Sequence, residues 1–104
     1  AQVGKAYSWG ATGPNAFDCS GLMVYSYSAM GVSLPRTSGA MMSAGTAVSS
    51  TSALQPGDLI ISYGGGHVGM YIGNGQMVHA ADYGIGVIVS SISGYDITAM
   101  RRVA

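Results

Sequence analysis

The chain has 104 residues, of which 48% are hydrophobic and 8% are charged. This length supports one hydrophobic core, and the composition is that of a folded protein rather than a disordered one, so we expect a single domain over residues 1–104. Four Lys and Arg residues balance four Asp residues, which leaves no basic field to attract a nucleic acid or an anionic membrane. The longest apolar stretch, residues 22–34, contains serines and is too short to insert across a bilayer.

No charged segment followed by an apolar run opens the chain, so we expect a signal peptide to be absent or already removed. The chain contains one cysteine, Cys19, and therefore no internal disulfide. A lone cysteine in a small chain is either a small buried hydrophobic residue or a reactive thiol.

The N-terminal part of the chain predicts a loop and then a helix. Turn-forming residues are frequent in residues 7–17, which we expect to form a loop. Asp18 is a good helix N-cap, and apolar residues then recur at three- and four-residue intervals until Gly31. Cys19 should therefore lie in the first turn of a helix.

A second, short helix capped by Thr37 or Ser38 should run towards Gly45. Short stretches of β-branched or alternating residues follow and predict five strands. These strands cover residues 58–63, 67–72, 76–81, 85–92 and 97–103. Helices followed by strands indicate an α+β fold, with the helices packed on one face of a mainly antiparallel five-stranded sheet.

The surroundings of Cys19 favour a reactive thiol. A helix N-terminus presents unpaired N–H groups and a positive dipole end, both of which favour a thiolate. Polar Asp18 and Ser20 flank the cysteine, and Gly21 permits close approach of another backbone, which is an unusual setting for a core residue. We therefore interpret Cys19 as a nucleophile rather than a packing residue.

The two histidines, His67 and His79, flank a turn at residues 73–75. If three residues form the loop, Ile72 pairs with Gln76, and both imidazoles lie on the same face of a hairpin. A two-residue loop would place them on opposite faces. The pattern predicts a thiol, a base and a third group that orients the base.

The apolar residues favour the same register. With a three-residue loop they gather on the other face of the hairpin: Val68, Met70, Ile72, Val78 and Ala80. Gly75 suits a left-handed loop position, and Gly69 leaves space between the histidines.

A zinc site formed by Cys19, His67, His79 and Asp82 is the alternative use of these residues, but structural zinc ligands usually come in close pairs. The glycines at 64–66 lack the strand-to-helix context of a phosphate-binding loop. We expect the remaining conspicuous side chains to be packing residues: Trp9, Tyr25, Tyr27 and the seven methionines.

Six segments make the sequence similar to the NlpC-type cell-wall peptidases, which are circularly rearranged relatives of papain. They read YSWG at 7–10, FDCSGL at 17–22, LPRTS at 34–38, LQPGDL at 54–59, HVGMYIG at 67–73 and VHA at 78–80. The resemblance covers nearly the whole chain. It implies a papain-like fold and a peptidoglycan endopeptidase that cuts stem peptides between D-isoglutamate and a diamino acid, often meso-diaminopimelate.

The resemblance also implies catalytic roles. Cys19 would be the nucleophile, with its backbone N–H contributing to an oxyanion hole, His67 the base, and His79 the residue that orients the base. Such a mechanism requires neither a metal ion nor an organic cofactor.

Further roles follow from the resemblance alone. Tyr7 would border the active site, and Asp18 and Ser20 would bind polar groups of the substrate. Arg36 lies in a matching segment, where we expect it to support the fold. Ala11 stands where the family usually has a second glycine.

Other functions would use the same fold: an amidase or acyltransferase, an antibacterial effector, or a non-catalytic module that binds peptidoglycan. The presence of all three candidate catalytic residues argues against the last. We expect peptidoglycan stem peptides as partners, a secreted or cell-wall-associated location, and a monomer.

Overall fold

The computed structural model describes residues 3–8, 10, 13, 15–81 and 85–103. The expectations for Trp9, Ala11 and Asp82 lie outside these residues. Two helices occur in the described part, α1 (Cys19–Ser28) and α2 (Ser38–Met41), and no helix there is long and apolar enough to cross a membrane.

Eight strands accompany the helices in the described residues. They are β1 (Ala6–Tyr7), β2 (Ala16–Phe17), β3 (Thr46–Ala47), β4 (Leu59–Ser62), β5 (His67–Gly73), β6 (Gln76–Ala80), β7 (Val87–Ser91) and β8 (Ile97–Arg102). Strands β3 to β8 form one antiparallel sheet in the order β3-β8-β4-β5-β6-β7, and β1 pairs with β2 in parallel.

The α+β class and the antiparallel sheet are confirmed, but the predicted strand count of five is wrong, because the sheet has six strands. The additional strand β3 has only two residues, too few for alternation to reveal it. The predicted loop at 7–17 also contains parts of β1 and β2. The second helix ends at Met41, well before Gly45.

Helix α1 has the predicted boundaries because both ends are defined by local chemistry. The Asp18 side chain accepts a hydrogen bond from the Gly21 N–H at 2.5 Å, which caps the N-terminus. Gly31 has a φ of 78°, a left-handed conformation that ends the helical path at little steric cost. The N-cap fixes Cys19 as the first helical residue.

One face of α1 packs against β5 and β6 and forms the core with the sheet. The largest buried side chains from the helix are Leu22, Met23 and Tyr27, and they pack in one cluster with Leu59 and Val68. Burying such side chains is the main source of stability in a domain of this size. Packing fixes the start of α1 close to the start of β5.

Some predicted packing residues are not in the core. Tyr27 is fully buried, as expected, whereas Tyr25 is 37% exposed and packs edge-on against Phe17. Met30 is 58% exposed and lies beyond the end of α1, so the prediction of a packing role is wrong for this methionine.

A bidentate ion pair joins β8 to the segment before β4. Arg102 contacts both carboxylate oxygens of Asp58, at 3.0 and 2.8 Å, and the Asp58 side chain also accepts the Gln55 N–H. Burial alone would raise the pKa of Asp58, but the hydrogen bonds from Arg102 and Gln55 lower it. The carboxylate is thus stabilised in its charged form although it is 3% exposed.

We expect Asp58→Asn to lower the free energy of unfolding by about 1–2 kcal/mol, because an amide loses the charge-assisted bonds to Arg102. Urea unfolding at pH 7.5 measures this. Asp96→Asn is the matched control, since Asp96 is exposed. Equal losses in both variants would contradict a structural role for the ion pair.

Candidate active site

Cys19 is the first residue of α1 and lies where the helix meets the sheet. Its side chain is partly buried, and its thiol interacts with the backbone of Val68, the residue after His67. The thiol therefore lies beside the start of β5, as a nucleophile served by His67 requires.

The thiol is not activated by the helix terminus alone. Burial raises the pKa of Cys19, and the nearby Asp18 carboxylate raises it further, while backbone hydrogen bonds from Val68 and Ser20 act in the opposite direction. The backbone donors favour the thiolate, as expected, but burial outweighs them, so the net shift of the thiol pKa is upward. A base must remove the proton.

The two histidines are brought together by the β5–β6 hairpin. Nε2 of His67 and Nδ1 of His79 are 2.7 Å apart, within hydrogen-bonding distance, and the ring centroids are separated by 4.9 Å. His67 uses Nε2 in this contact, which leaves Nδ1 as the ring nitrogen that can serve a thiol.

The predicted pairing of the strands is confirmed in the body of the hairpin, where Met70 pairs with Val78 and Tyr71 with Met77. Gly69 lies beside His79, and a Cβ added to this glycine would lie 3.2 Å from the His79 Cβ. The absence of a side chain at Gly69 thus makes room for the imidazole.

The predicted three-residue loop is wrong. Asn74 and Gly75 form a two-residue turn, with φ angles of 55° and 69°, and Gly73 pairs with Gln76. A register shift between Tyr71 and Gly73 compensates for the shorter turn. Ile72 at this irregularity is 41% exposed, so its assignment to the apolar face is also wrong.

Both imidazoles are neutral at physiological pH. Burial lowers the pKa of His67. Burial and repulsion from His67 lower the pKa of His79 to about 4, and this side chain is 1% exposed. A neutral His67 has one unprotonated nitrogen and can act as a base.

Two hydroxyl groups contact the far side of His79. Its Nε2 is 2.8 Å from Oγ of Ser90 and 3.3 Å from the hydroxyl of Tyr95. The Tyr95 ring also stacks on His67, with the planes 16° apart and the centroids 6.1 Å apart. Ser90 therefore contacts His79, and Tyr95 contacts both histidine rings.

A network of polar side chains surrounds the N-terminus of α1. Arg36 contacts Asp18 at 3.0 Å and Ser20 at 2.7 Å, and Asp18 also accepts the Gly10 N–H at 2.9 Å. Burial alone would raise the pKa of Asp18, but the hydrogen bonds from Arg36, Gly21 and Gly10 lower it. Arg36 thus supports two predicted substrate-binding residues, which agrees with its expected structural role.

This network forms one wall of a cavity of about 540 Å³. Cys19 opens into it, and Ser38, whose hydroxyl donates to the Gly65 carbonyl, lines another side. The complete lining among the described residues is Gly10, Asp18, Cys19, Ser20, Arg36, Thr37, Ser38, Gly65 and Gly66. Such a cavity has the size of a small ligand site.

The zinc alternative does not suit this geometry. Nε2 of His67 and Nδ1 of His79 contact each other, and their other ring nitrogens lie at opposite ends of the pair, one of them against Ser90. Two imidazoles that share one metal ion direct a nitrogen each towards the same point. Asp82, the remaining oxygen ligand of that set, lies outside the described residues.

The profile of the NlpC/P60 family matches residues 4–102. The chain belongs to the NlpC/P60 family. This confirms the resemblance in the sequence and agrees with the papain-like α+β fold.

Relatives and solved structures support this assignment. "Probable endopeptidase p60" of Listeria seeligeri is 55% identical over 86 residues, which are 80% of this chain and 16% of that protein. "Probable endopeptidase Cgl2188" of Corynebacterium glutamicum is 54% identical over 80 residues, which are 76% of this chain and 38% of that protein. This NlpC/P60 chain therefore spans well under half of either relative.

The fold is close to that of solved NlpC/P60 structures. NlpC2 from Trichomonas vaginalis superposes with a TM-score of 0.91 at 33% identity and covers 97% of this chain and 42% of that one. The peptidoglycan hydrolase RipB from Mycobacterium tuberculosis gives a TM-score of 0.87 at 37% identity and covers 98% of this chain and 59% of that one.

The residues predicted for the site are not all in one place. Asp18 and Ser20 line the same cavity as Cys19. Tyr7 pairs with Phe17 in the small parallel sheet and lines a separate cavity of about 270 Å³ beside Ile85. Tyr7 and Cys19 both pack against the core cluster, and a role for Tyr7 at the border of the active site stays a prediction.

Ser90 and Tyr95 were missed by the sequence analysis. Ser90 lies on β7, and residues 81–86 stand between β6 and β7, a connection too long for its length to fix the register as a two-residue turn does. Tyr95 follows a 3-10 turn (Ile92–Gly94). The alternating pattern of residues 85–92 predicts a strand that carries Ser90, but it does not predict which residue of the neighbouring strand Ser90 faces.

Proposed function

We propose that this NlpC/P60 domain is a cysteine endopeptidase that hydrolyses the stem peptide of bacterial peptidoglycan. The bond cut is the one between D-isoglutamate and the diamino acid, with meso-diaminopimelate as the expected diamino acid. The observation that carries the proposal is the 2.7 Å contact between His67 and His79 next to a helix that begins at Cys19. The names of the relatives, which are endopeptidases and peptidoglycan hydrolases, support the same reaction.

The first half of the reaction makes a thioester. Nδ1 of His67 takes the proton of the Cys19 thiol, and the thiolate attacks the carbonyl carbon of the scissile amide. The Cys19 backbone N–H, in the first turn of α1, donates to the developing oxyanion; such a donor contributes about 3 kcal/mol to the transition state. The protonated His67 then gives its proton to the leaving amine.

The second half releases the enzyme. Neutral His67 takes a proton from a water molecule, the resulting hydroxide attacks the thioester, and the acid product leaves as the thiolate is restored. The proton held by His67 returns to Cys19. Throughout both halves, His79 keeps the His67 ring in line through the bond at Nε2.

The cavity supports a small peptide substrate. Asp18 and Ser20, which Arg36 holds in place, provide oxygen acceptors in the cavity wall, so the wall can bind donor groups of a peptide. Stem peptides carry such donors in their amide and free amino groups. We take the domain to act outside the cytoplasm, on the cell wall, as a monomer.

The identity of the cleaved bond tests the proposal. Purified muropeptides with the diaminopimelate tripeptide stem are incubated with the wild-type domain, and products are identified by mass spectrometry. We expect one fragment that ends in D-isoglutamate and one with a new amino terminus on the diamino acid. Cys19→Ala is the control for contaminating hydrolases.

Other outcomes would replace the proposal. Muropeptides bound by both proteins and cleaved by neither indicate a binding module. A product that carries an added amine in place of water indicates an acyltransferase, and cleavage at the lactyl amide indicates an amidase.

A further inference from the structure

Two hydroxyl groups meet the ring nitrogen of His79 that the reaction above does not use. Strands β6 and β7 pair Met77 with Ser90 and His79 with Ile88, so Ser90 and His79 lie diagonally on the same face of the sheet. The Ser90 Oγ lies 2.8 Å from His79 Nε2, and the Tyr95 hydroxyl lies 3.3 Å from the same atom. The hydrogen bonds of the candidate catalytic group therefore continue beyond Cys19, His67 and His79 to a further hydroxyl group.

If His67 is a base, the order of donors and acceptors along this chain of hydrogen bonds is fixed. To accept a proton at Nδ1, neutral His67 must carry its hydrogen on Nε2, where it points at Nδ1 of His79. Nδ1 of His79 must then be an acceptor. Because neutral imidazole carries one hydrogen, that of His79 has to be on Nε2, facing the two hydroxyl groups.

The opposite tautomer of His79 disables the base. A hydrogen on Nδ1 of His79 would point at Nε2 of His67 and turn that atom into an acceptor. The His67 hydrogen would then sit on Nδ1, the atom that has to accept the thiol proton, and would block proton transfer. The two tautomers of His79 therefore correspond to an active and an inactive form of the pair.

We propose that Ser90 is a positioning residue whose Oγ accepts the hydrogen bond from Nε2–H of His79 and thereby holds the histidine pair in its active tautomer. This inference rests on the proposed roles of His67 and His79. The shorter contact favours Ser90 over Tyr95 as the acceptor. Tyr95 acts chiefly through its ring, which stacks on His67.

Three variants separate these contributions. Ser90→Ala removes the acceptor, Ser90→Thr keeps a hydroxyl on a residue that suits a strand, and Tyr95→Phe keeps the stacked ring without its hydroxyl. Ser49→Ala is the matched control, since Ser49 is exposed. Steady-state hydrolysis of the tripeptide stem gives kcat and KM for each.

We expect Ser90→Ala to lower kcat about tenfold with KM within about twofold of wild type, because one neutral hydrogen bond is lost and no substrate contact changes. Ser90→Thr should restore most of kcat, and Tyr95→Phe should lose less than Ser90→Ala. Urea unfolding of all four variants accompanies the kinetics, so that a general loss of stability is recognised.

The second readout does not depend on activity. Imidazole ¹⁵N NMR of the resting protein at pH 7.5 reports which nitrogen of each histidine carries hydrogen. Wild type should show hydrogen on Nε2 of His79, and Ser90→Ala should show a mixture with the Nδ1 form.

Three results would overturn the role proposed for Ser90. A wild-type His79 with hydrogen on Nδ1, or a Ser90→Ala variant with unchanged tautomer or kcat, overturns the proposal. A larger tautomer change in Tyr95→Phe than in Ser90→Ala also overturns it, because the acceptor would then be Tyr95. If wild type cleaves no stem peptide, the proposed function fails, whereas the NMR result still decides what Ser90 does.

Discussion

Cys19→Ala and His67→Ala are each expected to lower kcat for stem-peptide hydrolysis by about four orders of magnitude. Without Cys19 no thioester forms. Without His67 the thiol keeps its proton, because burial raises its pKa and the helix terminus does not compensate. The double variant should be no slower than either single one, since nucleophile and base act as one unit.

Replacement of His79 separates a positioning role from a chemical one. His79→Ala should lower kcat by about two orders of magnitude, because His67 keeps Nδ1 but loses the partner that aligns its ring. His79→Asn should recover part of this loss, since an amide oxygen can accept the hydrogen bond from Nε2 of His67.

Kinetics with a defined tripeptide stem and product detection by mass spectrometry measure all of these variants. Circular dichroism shows whether each variant is folded. The roles assigned to His67 and His79 would be exchanged if His79→Ala lost as much activity as Cys19→Ala while His67→Ala lost less.

The fold was predictable where local chemistry acts within a few residues. Asp18 and Gly31 mark the ends of α1 through a side-chain cap and a left-handed residue, and both signals are visible in the sequence. Strand β3 gave no signal because it has two residues, and what holds it is pairing with β8, including a close approach of Gly45 to the Arg102 carbonyl. Such a contact between distant parts of the chain has no local pattern.

The register of the β5–β6 hairpin was predicted correctly although the predicted loop length was wrong. The requirement that His67 and His79 share a face, together with the apolar pattern, selected the pairing of Met70 with Val78 that the structure has. The loop length was wrong because Asn74 and Gly75 form a two-residue turn and an irregularity at Ile72 restores the register. Function and core packing determined the register, and the turn adapted to it.

The site was predictable in its residue types but not in its electrostatics. A lone cysteine at a helix start and two histidines around one turn were enough to predict the candidate catalytic group. The direction of the thiol pKa depends on how deeply the side chain is buried, which no sequence motif expresses. The contact between Ser90 and His79 depends on the register of β7, for which the connecting segment gives no signal.

Stability of the domain should fall between pH 7 and pH 4.5, and the histidine pair is the cause. The folded-state pKa of His79 is about 4, against an ordinary value of 6.5, and that of His67 is also lowered. Between these values the unfolded chain binds more protons than the folded one, so the free energy of unfolding decreases as the pH falls. The stabilisation is complete above pH 6.5 and is lost as the pH approaches 4.

The expected loss from His79 alone between pH 7.5 and pH 4.5 is on the order of 2–3 kcal/mol, because its side chain is almost completely buried. The titration of Asp18 and Asp58 contributes little to the change in stability over this pH range. Their pKa values are lowered from 3.8, so the stability that they contribute is present above that value and lost only at lower pH.

Urea midpoints at pH 7.5, 6.5, 5.5 and 4.5 measure this dependence. The chain has two histidines, so His79→Asn and His67→Asn together remove every imidazole. We expect His79→Asn to remove the greater part of the slope, because His79 carries the larger shift and its repulsion of His67 disappears with it. A slope that persists in the double variant would mean that another group titrates, and a flat wild-type profile would mean that the buried pair is accessible to protons in the folded state.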